Sequence, residues 1–119
     1  MNEAQHQTQV FKWAAQPSVR GVYPELKLLH HIPNGGRRDP IEARHLKEQG
    51  VKKGVPDLHL PVARGGYHGL YIELKTEKGK ATPEQKWWLA ELSAQGNFCM
   101  ICKGWREAVE CLENYLQMK

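Results

Sequence analysis

Apolar residues recur along this chain with two different periods, and the period changes mark the elements. Val10, Phe11, Ala14 and Ala15 fall on one stripe of a helix over residues 3–15, with Asn2 as its N-cap and Pro17 beyond its end. A turn-rich stretch follows. Leu26 to Ile32 reads as a first strand, closed by Pro33-Asn34-Gly35-Gly36, a loop whose glycines allow close backbone approach. Asp39-Pro40-Ile41-Glu42 is a helix start, with an N-cap aspartate, proline at the first helical position and glutamate at the third, and Gly50 is the stop after Gln49.

Period-two segments come next. Asp57 to Val62 and Gly69 to Lys75 are two strands separated by Ala63-Arg64-Gly65-Gly66-Tyr67-His68, and the simplest connection is a β-hairpin. Thr82-Pro83-Glu84-Gln85 opens a helix to Ala94 that carries Gln85, Trp88, Leu89 and Leu92 on one face, and Gly96 closes it. Residues 97–103 form a last strand. A final amphipathic helix over residues 105–117 turns Ala108, Val109, Leu112 and Leu116 inward. The order predicts an α/β fold, with helices flanking a small mixed sheet.

Composition acts mainly by exclusion. With 119 residues, 40% hydrophobic and 25% charged, the chain has the make-up of one globular domain over residues 1–119, not of a disordered or collagen-like one. No run approaches the ~18 apolar residues of a membrane span, and the first residues lack the basic and apolar regions of a signal peptide, so a cytoplasmic location is expected. Three cysteines, an odd number, fit reduced thiols better than a disulfide framework. The net charge of +4 is concentrated: Lys27, Arg37, Arg38, Arg44, Lys47, Lys52 and Lys53 oppose only Asp39, Glu42 and Glu48, while the remainder of the chain cancels. A basic segment between neutral ones is the footprint of a phosphate-facing surface.

Chemistry enters at the hairpin. Side chains alternate along a strand, so Tyr71, Glu73 and Lys75 share one face while Leu70, Ile72 and Leu74 share the other. A hairpin symmetric about Gly65 places Asp57 directly opposite Glu73, at the ~5 Å separation of cross-strand partners. Two carboxylates at that distance repel unless a cation lies between them, and hard divalent ions such as Mg²⁺ favour oxygen ligands. Lys75, one pleat along, is placed to hold a water beside such an ion. This is the minimum apparatus for metal-assisted phosphodiester hydrolysis.

These residues support a family resemblance. Asp57, then Glu73-Leu74-Lys75, within the order helix, strand, hairpin, helix, strand, resembles the PD-(D/E)XK nuclease core, and Pro56-Asp57 keeps the proline of that name. More narrowly, Gly54-Val55-Pro56-Asp57-Leu58 after Lys52-Lys53, Tyr71-Ile72-Glu73-Leu74-Lys75, Gly79-Lys80, Gln85 with Trp88, and Gly96 resemble the VRR-NUC family over nearly the whole chain. The resemblance implies a restriction-endonuclease-like αβββαβ core. It further implies that Asp57, Glu73 and the Leu74 carbonyl bind Mg²⁺ or Mn²⁺, that Lys75 is the catalytic lysine, that Glu3 completes or extends the metal site, and that Gln85 stands near the active centre. By similarity to free-standing phage and bacterial members, a two-fold homodimer acting on branched DNA such as a four-way (Holliday) junction is expected.

Arg37, Arg38, Lys52 and Lys53 are the expected grip on the DNA backbone, and Lys78 and Lys80 flank Gly79 beside the catalytic strand in a position to add to it. No base-reading element is evident, so shape recognition is favoured over sequence recognition. The alternatives are a non-catalytic DNA-binding adaptor and a sequence-specific restriction-type nuclease. His30, His31 and His45 lie in the basic segment and are candidates for phosphate contact, but His30 and His31 face opposite sides of their strand, and for most of the three no such role is expected. Trp87 is a candidate for base stacking and Trp88 a core residue. Cys99 and Cys102 form a lone C-x-x-C whose members also face opposite sides, and they read as buried thiols.

Overall fold

The computed structural model of the chain describes residues 1–33 and 39–119. Its helices begin where local capping chemistry starts them. In α1 (Glu3–Ala15) the Asn2 carboxamide accepts the Gln5 N–H at 2.8 Å while the Gln5 side chain accepts the Asn2 N–H at 2.9 Å, a reciprocal capping box. In α3 (Pro40–Glu48) Asp39 accepts the Glu42 N–H at 2.9 Å. The same box as in α1 recurs between Thr82 and Gln85 at the start of α4 (Pro83–Ala94). Helix α5 (Trp105–Leu116) instead starts at Gly104, φ +89°, where the His6 ring accepts the Trp105 N–H at 3.1 Å.

The stretch after α1 departs from expectation. Pro17 supplies a preset first helical residue and starts a short α2 (Pro17–Val22), with Gln16 serving both as C-cap of α1 and N-cap of α2. Arg20 then returns to the end of α1, donating to the Ala14 carbonyl at 3.0 Å. Pro24 starts a 3₁₀ turn (Pro24–Leu28) whose i to i−3 bonds engage the Leu26 and Leu29 N–H groups. The strand expected over Leu26–Ile32 is therefore reduced to β1 (His30–His31), because the backbone before His30 is already bonded within the 3₁₀ turn.

The sheet runs β1, β2 (Leu58–Leu60), β3 (Leu70–Lys75) and β4 (Phe98–Lys103), with β1, β2 and β3 antiparallel and β4 parallel to β3. Leu58 pairs with Ile72, His59 with Tyr71 and Leu60 with Leu70, the register expected for Asp57 opposite Glu73. The turn that delivers it is not symmetric about Gly65. Gly65 and Gly66 both adopt positive φ, +57° and +83°, and form a two-residue turn closed by reciprocal Arg64 and Tyr67 bonds, which shifts the centre by half a residue. Pro61 restores the register: the Val62 N–H bonds the Leu60 carbonyl at 2.9 Å in a γ-turn that takes up one extra residue.

Leu58, Leu60, Leu70, Ile72 and Leu74 pack with Val10 and Ala14 of α1 and with Ala108, Cys111, Leu112, Tyr115 and Leu116 of α5 in one core. Tyr115 also donates its hydroxyl to the Val62 carbonyl at 2.6 Å, satisfying a buried polar pair. Cys111 and Tyr115 thus join the inward face expected for α5, whereas Val109 is only half-buried. Helix α4 lies on the other side of the sheet, against β4, and has no fully buried residue; Trp88 and Leu92, expected in the core, are half-buried. Cys102 is buried and Cys99 half-buried. Among the described residues no helix is long and apolar enough to cross a membrane.

Candidate active site

Asp57 leaves a tightly packed approach. Gly54, φ +94°, lies so close to α4 that a Cβ there would meet the Glu84 backbone carbon at 2.9 Å, and the Trp88 indole donates to the Lys53 carbonyl at 3.1 Å. Glycine is required here on both counts, sterics and φ. The chain then delivers Asp57 to the edge of β2, where its carbonyl accepts the Ile32 N–H and bonds the His31 ring, each at 2.8 Å. Its carboxylate accepts the Leu74 N–H at 2.8 Å. Asp57 is thereby tied to both β1 and β3.

Glu73 is 1% exposed, although it is a carboxylate on the face opposite the leucine core. Its Oε2 accepts from the Gln85 amide at 3.1 Å and lies 3.4 Å from the Lys75 ammonium, which is itself only 6% exposed. Among the described residues Glu73 Oε1 has no hydrogen-bond partner. Gln85 serves two ends at once: its oxygen accepts the Thr82 N–H in the capping box, so its NH₂ group is the end turned to Glu73. The cap that starts α4 also aims a donor into the site.

Glu3 arrives from the first turn of α1, its carboxylate 4.0 Å from Lys75 Nζ. One oxygen each from Glu3, Asp57 and Glu73 lie within 4.8 Å of one another. The electrostatic consequence is concentrated on Glu73, whose carboxyl is pushed up to about 8, first by burial and then by the Asp57 charge, with Lys75 opposing the rise. Burial, and then the His30 charge, likewise lowers His59 below its ordinary value.

Residues 1–106 match the VRR-NUC domain family. The chain belongs to the VRR-NUC family. A solved structure described as a VRR-NUC domain protein agrees with it at a TM-score of 0.84 and 34% identity, over 99% of this chain and 90% of that one. No curated protein matches. The mixed four-stranded sheet with flanking helices is thus a VRR-NUC fold, and the domain is of nuclease type, acting on DNA.

Nucleases of this type use a divalent metal, and the residues present suit one. Three carboxylates converge, the Asp57 charge adds to the cost of ionising Glu73, and a buried Glu73 oxygen lacks a partner among the described residues. Hard oxygen donors of this kind match Mg²⁺ or Mn²⁺ rather than a thiolate-seeking ion.

Of the site residues expected from sequence, the VRR-NUC fold brings Asp57, Glu73, Lys75, Gln85 and Glu3 together. Leu74 sends its side chain into the core and its N–H to Asp57. Arg37 and Arg38 lie outside the described residues. Lys52 and Lys53 are exposed on the loop that Trp88 pins, and Lys78 and Lys80 are exposed on a turn that Lys103 braces through the Glu77 and Gly79 carbonyls. The Lys103 brace was not anticipated. Neither was a row of rings, His30, His59 and Tyr71, beside the carboxylates; the alternation that pairs Asp57 with Glu73 pairs His59 with Tyr71 as well and would have found those two, but not His30.

Proposed function

We propose that this VRR-NUC chain is a metal-dependent endonuclease that hydrolyses DNA phosphodiesters, leaving 5′-phosphate and 3′-hydroxyl ends. The observation that carries the reading is the buried Glu73 carboxylate, with one oxygen unpartnered among the described residues, beside Asp57 and Lys75. Asp57, Glu73 and the Leu74 carbonyl, with Glu3 at the rim, are the residues that would hold Mg²⁺ or Mn²⁺. The ion, when bound, supplies positive charge for a phosphoryl oxygen and for an attacking water.

The chain's own side chains do the rest. Gln85 holds Glu73 in one orientation through the amide that Thr82 fixes. The Lys75 ammonium, on the same face, orients the water toward the phosphorus. Lys52 and Lys53, with Lys78, Lys80, Arg37 and Arg38, grip the DNA backbone, which gives recognition of shape without a base-reading element. The substrate we favour is branched DNA such as a four-way junction. A two-fold homodimer, as in the free-standing members the sequence resembles, would set two sites on the two strands to be cut.

The test is cleavage of linear, flap, fork and four-way DNA with Mg²⁺ or Mn²⁺, beside a measurement of solution mass. Nicking of the four-way substrate by a dimer is expected, with Glu73→Ala and Lys75→Ala inactive yet still bound to DNA. Activity that persists in EDTA or in either variant overturns the mechanism. Calorimetry that finds no divalent-ion site would leave a DNA-binding adaptor in its place, and cutting of linear duplex at one motif would make the enzyme a restriction-type nuclease.

A further inference from the structure

The face of the sheet that bears the carboxylates carries a second ordered group that the mechanism does not use. His30, His59 and Tyr71 are in-register neighbours on β1, β2 and β3. Their rings touch: His59 stacks on Tyr71 with centroids 4.1 Å apart and planes within 4°, and His30 meets His59 edge-on at 5.1 Å and 75°. His59 is two residues from Asp57 and Tyr71 two residues from Glu73, so the row stands on the same face about 6.7 Å along the strands.

Among the described residues this row is only partly covered. Helix α4 packs on this face over β4, while His30 is exposed and His59 and Tyr71 are half-buried. What the row offers is decided by its stacking. Tyr71 covers one face of His59 and the edge of His30 meets the other, so no face of the central ring is open to a base. The rims carry polar atoms, of which His59 Nε2 lies beside Gly69. His30 Nδ1 is engaged by the Leu28 carbonyl at 3.0 Å, which leaves Nε2 as its outward nitrogen. Among the described residues neither the His59 ring nor the Tyr71 hydroxyl has a hydrogen-bond partner. Hydrogen-bonding groups beside a phosphodiester site, on a row whose central ring is covered on both faces, suit backbone oxygens rather than bases.

We propose that the His30–His59–Tyr71 row is a subsite for the phosphodiester next to the one that is cut, hydrogen-bonding its oxygens and so setting the path of the strand across Asp57 and Glu73. The proposal rests on the nuclease reading above. It makes these three residues positioning residues, acting through the DNA strand they hold.

The test is a methylphosphonate scan, in which each phosphate of a bound strand is made neutral in turn and binding is measured without divalent ion. The proteins compared are wild type, Tyr71→Phe, His59→Phe and the double variant; phenylalanine keeps the stacked rings and removes their polar rims. At one phosphate, neighbouring the cut position mapped with Mg²⁺ or Mn²⁺, neutralisation should weaken wild-type binding by ~3- to 10-fold, the size of one net hydrogen bond, and should weaken the double variant no further. Equal losses in wild type and double variant at every phosphate overturn the subsite. Because the scan reads binding alone, a wild-type protein that never cuts DNA overturns the nuclease reading independently of that result.

Discussion

Glu73 and Leu74 are neighbours on β3, each 1% exposed, and they face opposite sides of the sheet. For Leu74 burial is favourable, worth about 1.5–3 kcal/mol for a side chain of its size, because it joins α1 and α5 in the apolar core. For Glu73 the same burial is unfavourable. With the Asp57 charge it pushes the carboxyl up to about 8, and among the described residues one oxygen has no partner. Two residues that the backbone treats alike thus have opposite energetic signs, and the difference separates the half of the strand that holds the fold from the half that holds the chemistry. The leucine face makes the strand rigid enough for the glutamate face to remain strained.

The comparison breaks first if Glu73 is dispensable. Glu73→Gln should abolish divalent-ion binding by calorimetry and lower cleavage by ~10³-fold or more, since the amide cannot supply a negative oxygen to the ion. The opposite effect belongs to the other face. Leu74→Ala should cost ~2–5 kcal/mol in urea unfolding, the range for a leucine deleted from a closed core, while the variant that remains folded still binds metal. A loss below 1 kcal/mol would show that this face does not carry the strand.

A pH series sharpens the contrast. Between the ordinary value of 4.5 and about 8, Glu73 holds a proton in the folded chain that it has released in the unfolded one. Folded protein therefore binds more protons in this window, and the Glu73 contribution to stability is present below pH 4.5 and lost as the pH rises to 8. In EDTA the difference in urea midpoint between Glu73→Gln and wild type should grow in favour of the variant from pH 5 to pH 8; a flat difference would contradict the strain. Metal affinity of the wild type should rise over the same interval, by up to about tenfold per pH unit, as the ion displaces that proton.

The smallest expected effect lies at the cap. Thr82→Ala removes the hydroxyl that accepts the Gln85 N–H and should cost ~1 kcal/mol. Since that hydroxyl holds the Gln85 backbone from which the amide reaches Glu73, cleavage should fall in the same variant more than stability alone explains, whereas Asp39→Ala, at the equivalent cap of the exposed α3, should leave cleavage unchanged.

Much of this was legible before any coordinates. Four helices were bounded to within about a residue; three of them start where neighbours in the chain set the cap, Asn2 with Gln5, Asp39 with Glu42 and Thr82 with Gln85, and Gly50 and Gly96 follow α3 and α4. The short α2 and the 3₁₀ turn were missed because Pro17 and Pro24 read equally well as breakers and as starters, and which they become depends on Leu26 finding the core. At the site, alternation along β3 and the hairpin were enough to pair Asp57 with Glu73. Even the half-residue error in the turn left that pairing intact, because Pro61 absorbed it.

By itself, then, the sequence determined which residues face together wherever a period or a cap within a few residues decides it: the carboxylate pair, Lys75 beside it, Gln85 at the head of α4. Tertiary structure alone decided what distance along the chain conceals. It brought Glu3 within 4.0 Å of Lys75, set His6 on the first N–H of α5, and joined His30 to His59 and Tyr71. It also decided how deeply Glu73 is buried, and therefore its proton. Local pattern encodes direction, but burial and long-range approach depend on every packed element together, and the acidity of a carboxyl follows those.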